Sequence, residues 1–443
     1  MLYQVVSERF PAFRERMQES GGLPKFVLRE FEEYLKCGIV EEGCLHLVCR
    51  SCGYSQVVAL SCKKRGFCPS CLGRRMVDTA VHLEQCVLPA VPIRHWICSL
   101  PWGLRALLGY DRKLCAEVAS AFALELSRSL KKRAKRELAL ASVSQAHTGA
   151  VCAVQRTDGA LRLNVHLHVL ALDGVYVRDT ESGKLRFEEL AAPSQAEVFD
   201  VARRTAERID ALLRKSGRSL ERQADEPEPE LLLDEPGLAS CYAAAAQGIS
   251  VSGDRAGLPQ LRLVLGTAPS TASSPESAEL ETASDEPVAE HWGVNLHAKQ
   301  CVDGRDRKRH ERLCRYITRP PVAQDRLDRL PDGRIELRLK HPWRDGTHAL
   351  LLEPDDLLVR LVASVPPPRF HLLRYFGVLS SHSSLRKEVV PSPPHDPTAH
   401  APPPAPGDQL ELGLDDSKGE EAPHRKRWAW LLKHVFNHAT NCF

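Results

Sequence analysis

Asn164-Val165-His166-Leu167-His168-Val169-Leu170 alternates polar and apolar side chains over one strand length. In extended backbone, Val165, Leu167 and Val169 therefore face a core while His166 and His168 stand together on the opposite face. Two imidazoles so placed suit one metal ion, and equally suit two histidines satisfied by packing, so a partner is needed to decide. The neighbouring patterning supports a strand. Runs at 149–155 and 161–172 flank the hairpin dipeptide Asp158-Gly159, and 94–100 is a strand stopped by Pro101. Strands are also expected at 291–298, 335–340 and 349–352. Helical patterning runs from about Asp111 to Glu137, from the capping box Ser194-x-x-Glu197 to about Lys215, over 306–317 until Pro320-Pro321, and over 355–363. Strands and helices interleave along the chain, and within the α+β class expected for it these signals alone do not fix the order of a sheet.

Before this sheet lies a cysteine-bearing module, residues 1–92, whose first 36 residues carry helix-like spacing. Cys49-x-x-Cys52 and Cys68-Pro69-Ser70-Cys71 are two knuckles separated by fifteen residues, the pattern of a tetrahedral zinc site. Cys37, Cys44, Cys62 and His46 flank them and could make a second site or replace one of the four. Four thiolates leave no open coordination position, so a structural Zn2+ is expected. Lys63, Lys64, Arg65, Arg74 and Arg75 crowd the same stretch and suit phosphate contacts; contacts to the rest of the protein are the plainer alternative.

The 443 residues carry 60 Lys and Arg against 57 Asp and Glu, so positive charge is a local matter rather than a global one. Neither a cationic leader with an apolar run nor about eighteen uninterrupted apolar residues is found, so a cytoplasmic protein with no membrane partner is expected. In that reducing setting the 15 cysteines read as metal ligands and buried thiols rather than disulfides. Residues 222–290 are acidic and rich in Pro and Ser, and read as a partly disordered surface insertion. The tract 391–425 reads as a Pro-rich linker and 426–443 as a short terminal helix.

Tyr316 lies on the 306–317 helix among Arg305, Arg307, Lys308, Arg309, Arg312, Arg315 and Arg319. Such a field would lower a phenol's pKa from about 10 and hold phosphate near its oxygen, as a nucleophilic tyrosine requires. A tyrosine packing its helix onto a sheet, with the arginines solvated, fits the same pattern. The basic run Lys131, Lys132, Arg133, Lys135 and Arg136 is open to the same two readings, phosphate contact or solvated helix end.

Taken in order, Ser61-Cys62-Lys63-x-Arg65-x-x-Cys68-Pro69-Ser70-Cys71-x-x-Arg74-Arg75-Met76, the His-x-His strand, Arg315-Tyr316-Ile317-x-Arg319-Pro320-Pro321, Lys340-x-Pro342-Trp343-Arg344-Asp345-Gly346-Thr347 and Pro366-Pro367-Pro368-Arg369-x-His371-x-x-Arg374-Tyr375 resemble one family. It is that of the rolling-circle transposases of the insertion-sequence-ninety-one type and their common-region relatives. The resemblance spans roughly residues 30–390 apart from the insertion. It implies an HUH-type nuclease domain at 93–390, with a central antiparallel sheet flanked by helices, behind a zinc-binding, DNA-binding domain. It also implies that His166 and His168 bind Mg2+ or Mn2+, with Gln155 or His297 as third ligand, and that Tyr316 opens one DNA strand. The implied partner is DNA, as single-stranded or hairpin element ends and as target, contacted by the basic residues of the zinc module and by Arg312, Arg315 and Arg319. Because Arg312 stands where some relatives carry a second tyrosine, the chain resembles the single-tyrosine branch, in which the nucleophile is reused or a second protomer of a homodimer supplies another. The ending resembles the approach to a cysteine knuckle, yet only Cys442 follows, so a truncated C-terminus is expected. A zinc-dependent DNA binder that does not cleave, and a replication initiator or relaxase using the same chemistry, are the alternatives. Tyr375 is expected to pack rather than react.

Overall fold

A computed structural model describes residues 1–49, 52–220, 230–264 and 287–391. The linker and terminal helix expected beyond Pro391, Cys442, and the disorder expected within 222–290 at 221–229 and 265–286 lie outside the described residues.

Helix α1 (Leu2–Glu19) buries Leu2, Val5, Val6, Phe10 and Phe13, a stripe at helical spacing, against α2 (Lys25–Leu35), which buries Val27, Phe31 and Tyr34. Phe10 stacks on Phe31 with centroids 4.2 Å apart, and Phe67 tilts onto Phe31 at 4.7 Å. Strands β1 (Cys44–Val48) and β2 (Ser55–Ala59) form an antiparallel ribbon. Pro69 opens α3 (Pro69–Cys86), where its missing N–H costs nothing.

The sheet begins at β3 (Ile93–Ser99). Short α4 (Arg105–Tyr110) precedes α5 (Arg112–Glu137), whose first amides, Lys113 and Leu114, donate to the Asp111 carboxylate. Next come β4 (Gly149–Thr157), β5 (Leu163–Leu172), the β6 (Gly174–Arg178) and β7 (Leu185–Glu189) hairpin, and α6 (Gln195–Arg214), whose Ser194–Glu197 capping box is formed in both directions. Helices α7 (Glu230–Asp234) and α8 (Pro236–Gln247) lead to β8 (Leu261–Val264). Strands β9 (Val288–His291), β10 (Val294–His297) and β11 (Cys301–Val302) then precede α9 (Arg307–Ile317). The remaining elements are β12 (Leu327–Arg329), β13 (Ile335–Arg338), β14 (Thr347–Leu352), α10 (Pro354–Ser364), β15 (Leu373–Gly377) and α11 (Arg386–Val389).

The central sheet runs β15-β4-β5-β3-β10-β9, with β11 also on β3, and every pairing is antiparallel. This is the α+β arrangement expected. Val165, Leu167 and Val169 bury one face together with Trp96, Cys98, Cys152 and Val154, in the same core as α5 and α6. On the other face Val151, Ala153 and Leu170 pack with Ala80 and Leu83 of α3 and with Leu313, Cys314 and Ile317 of α9. No described helix is long and apolar enough to cross a membrane.

Two expectations are corrected. Residues 291–298 are not one strand: β9 and β10 form a hairpin that turns at Trp292 and Gly293, both with positive φ, as a tight hairpin turn requires. Nor does all of 222–290 lie on the surface. Helix α8 is buried along most of its length, Tyr242 completely. Its small residues permit close approach, and a Cβ on Gly237 would stand 2.1 Å from the Gly22 carbonyl oxygen. The acidic flanks disguise an apolar helix. Strand β8 likewise completes a second sheet, β12-β13-β14-β8.

A buried ion pair ties β3 to the junction of β5 and β6, and its arginine also reaches the loop before β11. Arg94 donates to both Asp173 oxygens, at 2.9 and 2.6 Å, and to the Ala298 carbonyl at 3.0 Å, while the Cys301 thiol donates to Asp173 at 3.2 Å. Asp173→Ala should cost about 3–5 kcal/mol in denaturant unfolding, because it strands a buried guanidinium. Arg94→Met with Asp173→Leu should recover most of that loss.

Candidate active site and metal centres

The thiols of Cys37, Cys62, Cys68 and Cys71 lie within 4.8 Å of one another, the one such group of three or more His, Cys, Asp or Glu donors among the described residues. Sulfur separations of 3.6 Å (Cys37–Cys71), 3.4 Å (Cys62–Cys71) and 3.7 Å (Cys37–Cys68) approach the edge of about 3.8 Å that a tetrahedron with Zn–S near 2.3 Å demands. Cys37 and Cys62 thus take the places expected for Cys49 and Cys52. The ribbon explains why. Its base joins where Gly38 N–H donates to Leu60 O at 2.9 Å and Cys62 N–H to Cys37 Sγ at 3.3 Å. The Cys49–Cys52 knuckle, turned by Gly53 N–H on Cys49 O, lies beyond the far end of the ribbon, whose paired residues alone span four residue rises or ~14 Å. Hydrogen bonds from Cys62 and Cys68 hold the Cys71 thiol far below its ordinary range, and the same contacts push Cys68 up. A dication at the centre would be held by four thiolates, so its binding releases the protons the thiols carry.

On the sheet, register brings the histidines together. Gln155 pairs with His166 and His166 with Ser99, while Ala153, His168, Ile97 and His297 form the next cross-strand row. Residues paired across strands share a face, so Gln155, His166, His168, His95 and His297 all project toward α9. A register shift in β4 between Gln155 and Thr157 falls beside the site, a common place for a bulge. His166 Nδ1 lies 2.8 Å from Asn164 O, and His168 Nδ1 lies 2.9 Å from His95 Nε2. His95 Nδ1 faces Gln300 Oε1 at 3.3 Å, while His168 Nε2 is buried without a hydrogen-bond partner among the described residues.

Tyr316 reaches this row from the last turn of α9. Gln155 Nε2 donates to the Tyr316 and Ile317 carbonyls at 3.2 and 3.1 Å, tying the end of the helix to β4. The phenol ring stands edge-on to His168 and His95, with centroids 5.5 and 5.9 Å apart. Arg319 Cζ lies 4.5 Å and Lys340 Nζ 5.8 Å from the ring centroid.

These side chains line a cavity of about 1210 Å³ whose basic walls include Arg65, Arg75, Arg105, Arg162, Lys299 and Lys340. Beside it, Arg29, Lys63, Lys64, Arg65 and Arg75 line a second cavity of about 290 Å³. Arg65 and Arg75 border both, and Arg65 also donates to Phe370 O, joining the zinc module to the last part of the sheet domain. Arg74 and Arg312 are exposed and line neither cavity. Much of the helix's remaining charge is engaged, Arg315 with Glu311 at 2.6 Å and Arg307 with Glu84. Arg133 and Arg136 are similarly tied to Glu197, so that part of the 131–136 cluster is structural. Tyr375 packs in the second core.

His95, Gln300 and Lys340 were not foreseen in these places. Alternation along 94–100 puts His95 on the face of Ile97 and Ser99, but only the adjacency of β3 and β5 makes it a neighbour of His168.

Burial depresses the basicity of all three histidines. His166 and His95 are each held down at about 4 and His168 lies well below 6.5. Between pH 4 and 6.5 the unfolded chain therefore binds protons that the native state refuses, and stability falls as pH drops through that window. Without added magnesium or manganese, the Tm should fall from pH 6.5 toward 4.5, and His168→Leu should flatten the slope. Cys62→Ser should lose zinc and expose α1 and α2 to proteolysis, since on the order of 10 kcal/mol rests on such an ion. Cys49→Ser should leave that protection in place.

Residues 149–387 match the family model described as a putative transposase, and residues 5–100 match that described as a transposase zinc-binding domain. The transposase for insertion sequence element IS801 from Pseudomonas savastanoi pv. phaseolicola is 24% identical over 371 residues, covering 82% of this chain and 72% of the relative. No solved structure matches the chain. The transposase match takes in both histidines of β5, Tyr316 and Lys340, and the zinc-binding match takes in all four clustered thiols; the chain belongs to the insertion-sequence-ninety-one family of transposases.

Proposed function

We propose that this transposase cleaves and rejoins single strands of DNA in rolling-circle transposition, through a 5′-phosphotyrosine on Tyr316. The observation that carries the reading is the Tyr316 ring standing edge-on to His168 within a basic cavity. The residues fit a divalent ion. His168 Nε2 is buried without a partner, and His166, donating through Nδ1 to Asn164 O, keeps a lone pair on Nε2. Gln155, whose amide nitrogen is spent on α9, offers Oε1 as third ligand from the position paired with His166. His297 lies two strands from His168 and is the more distant choice. When bound there, Mg2+ or Mn2+ supplies Lewis-acid polarisation of the scissile phosphate.

The Tyr316 oxygen attacks phosphorus as the phenol loses its proton. The bond from phosphorus to O3′ breaks, the 3′-oxygen takes up a proton, and the 5′-phosphate remains on the tyrosine. Arg319 and Lys340 flank the ring and face the charge that develops on phosphate. A 3′-hydroxyl attacking phosphotyrosine reverses the step, so joining needs no nucleotide cofactor. With Arg312 one turn before Tyr316, a second cleavage reuses Tyr316 or draws on the second protomer of a homodimer. Lys63, Lys64, Arg65 and Arg75 would carry the DNA backbone from the zinc module toward the sheet.

Incubation with labelled single-stranded element-end DNA and manganese should give a covalent adduct on a denaturing gel. Tyr316→Phe should abolish it, His166→Ala should reduce it by roughly 10²-fold or more, and Tyr375→Phe should retain it. An adduct that survives Tyr316→Phe sinks the assignment. DNA binding without any adduct in the wild type would favour a binder that does not cleave.

A further inference from the structure

We infer that His95 and Gln300 form a relay that fixes the tautomer of His168, making His95 a positioning residue for the metal-binding imidazole and not a ligand. The inference rests on His166 and His168 as the ligands. Gln300 Oε1 can only accept, so the proton of His95 sits on Nδ1, 3.3 Å away. A neutral His95 then presents a lone pair at Nε2, which lies 2.9 Å from His168 Nδ1 and must accept from it. His168 therefore carries its proton on Nδ1, and the lone pair is left on Nε2, the buried atom without a hydrogen-bond partner. A metal ligand whose other ring nitrogen donates to an acceptor is the arrangement that orients such imidazoles. His95 cannot serve as a ligand through Nε2 while that atom accepts from His168.

The acceptor is held in place by backbone. His95 N–H donates to Gln300 O at 2.8 Å, Cys301 pairs with Arg94, and Arg94 holds Ala298 O at 3.0 Å. Gln300 thus sits between two anchored points, both dependent on the buried Arg94–Asp173 pair. The four histidines on this face have separate roles: two donate lone pairs, His95 sets the state of one of them, and His297 lies farther along the row.

The test uses the full-length, zinc-loaded protein. In protein without added manganese, nitrogen-15 NMR of labelled histidines should show His168 protonated on Nδ1. An Nε2-protonated His168 would overturn the relay whatever the fate of the metal reading. Manganese affinity, measured by electron paramagnetic resonance, should weaken about 10–100-fold in His95→Leu and in Gln300→Leu. Gln300→Glu, which still only accepts, and His95→Gln, whose carbonyl can accept from His168, should restore most of it. Gln300→Leu is a cavity-wall change that leaves the core intact, so misfolding of His95→Leu would not hide the answer. Unchanged affinity in Gln300→Leu, or a loss in His95→Gln as large as in His168→Ala, would refute the relay. Manganese binding indifferent to both His166→Ala and His168→Ala would instead remove the ligand assignment, leaving the NMR result to decide the tautomer.

Discussion

A polar row buried on one face of an otherwise apolar sheet is the constraint on which the rest of this molecule depends. Buried imidazoles and amides are costly unless they find partners, and here His168 finds one on the neighbouring strand, His95 another in the loop before β11, and His166 its own on β5. The antiparallel register β4-β5-β3-β10 aligns Gln155, His166, His168, His95 and His297, and a shift by one residue would send every one of them into the opposite core. That opposite core, filled by Val165, Leu167, Val169, Trp96 and Cys98, makes the slip prohibitively unfavourable. Apolar packing on one side thereby holds the chemistry on the other.

The second constraint is the four-thiol centre. Helices α1 and α2 and the β1–β2 ribbon form a small module, and a metal compensates for the limited core such modules can build. Its position also matters for DNA. Helix α3 begins at the centre, where its first residues follow Cys68, and then packs against α9, so the metal-anchored module and the tyrosine helix share a support. Arg65 and Arg75 stand at the seam between the two cavities.

Much of this was legible in the sequence. The 2.0 period of 163–172 announced β5, the Ser194–Glu197 capping box announced α6, the helical run ended by Pro320-Pro321 announced α9, and the family resemblance supplied the antiparallel sheet, which the strand signals alone did not order. What escaped were facts of adjacency. The ligand partners of Cys68 and Cys71 follow from the return of a ribbon, not from linear spacing, and the zinc centre therefore took Cys37 and Cys62. His95 joined the site because β3 lies beside β5, an arrangement that alternation along a single strand cannot announce. Helix α8 was hidden because composition averages over a window, and acidic flanks outweighed twelve mostly apolar residues.

The clamp of Gln155 on α9 bears on mechanics. A strand of DNA attached to Tyr316 would tug on the last turn of an eleven-residue helix, the place where helices fray most readily. The Tyr316 and Ile317 carbonyls of that turn are tied to β4, a strand with neighbours on each side. Tension along the nucleic acid would pass into the sheet's interior and not peel the helix, so an attachment point at Tyr316 would keep its place while the rest of the strand moved.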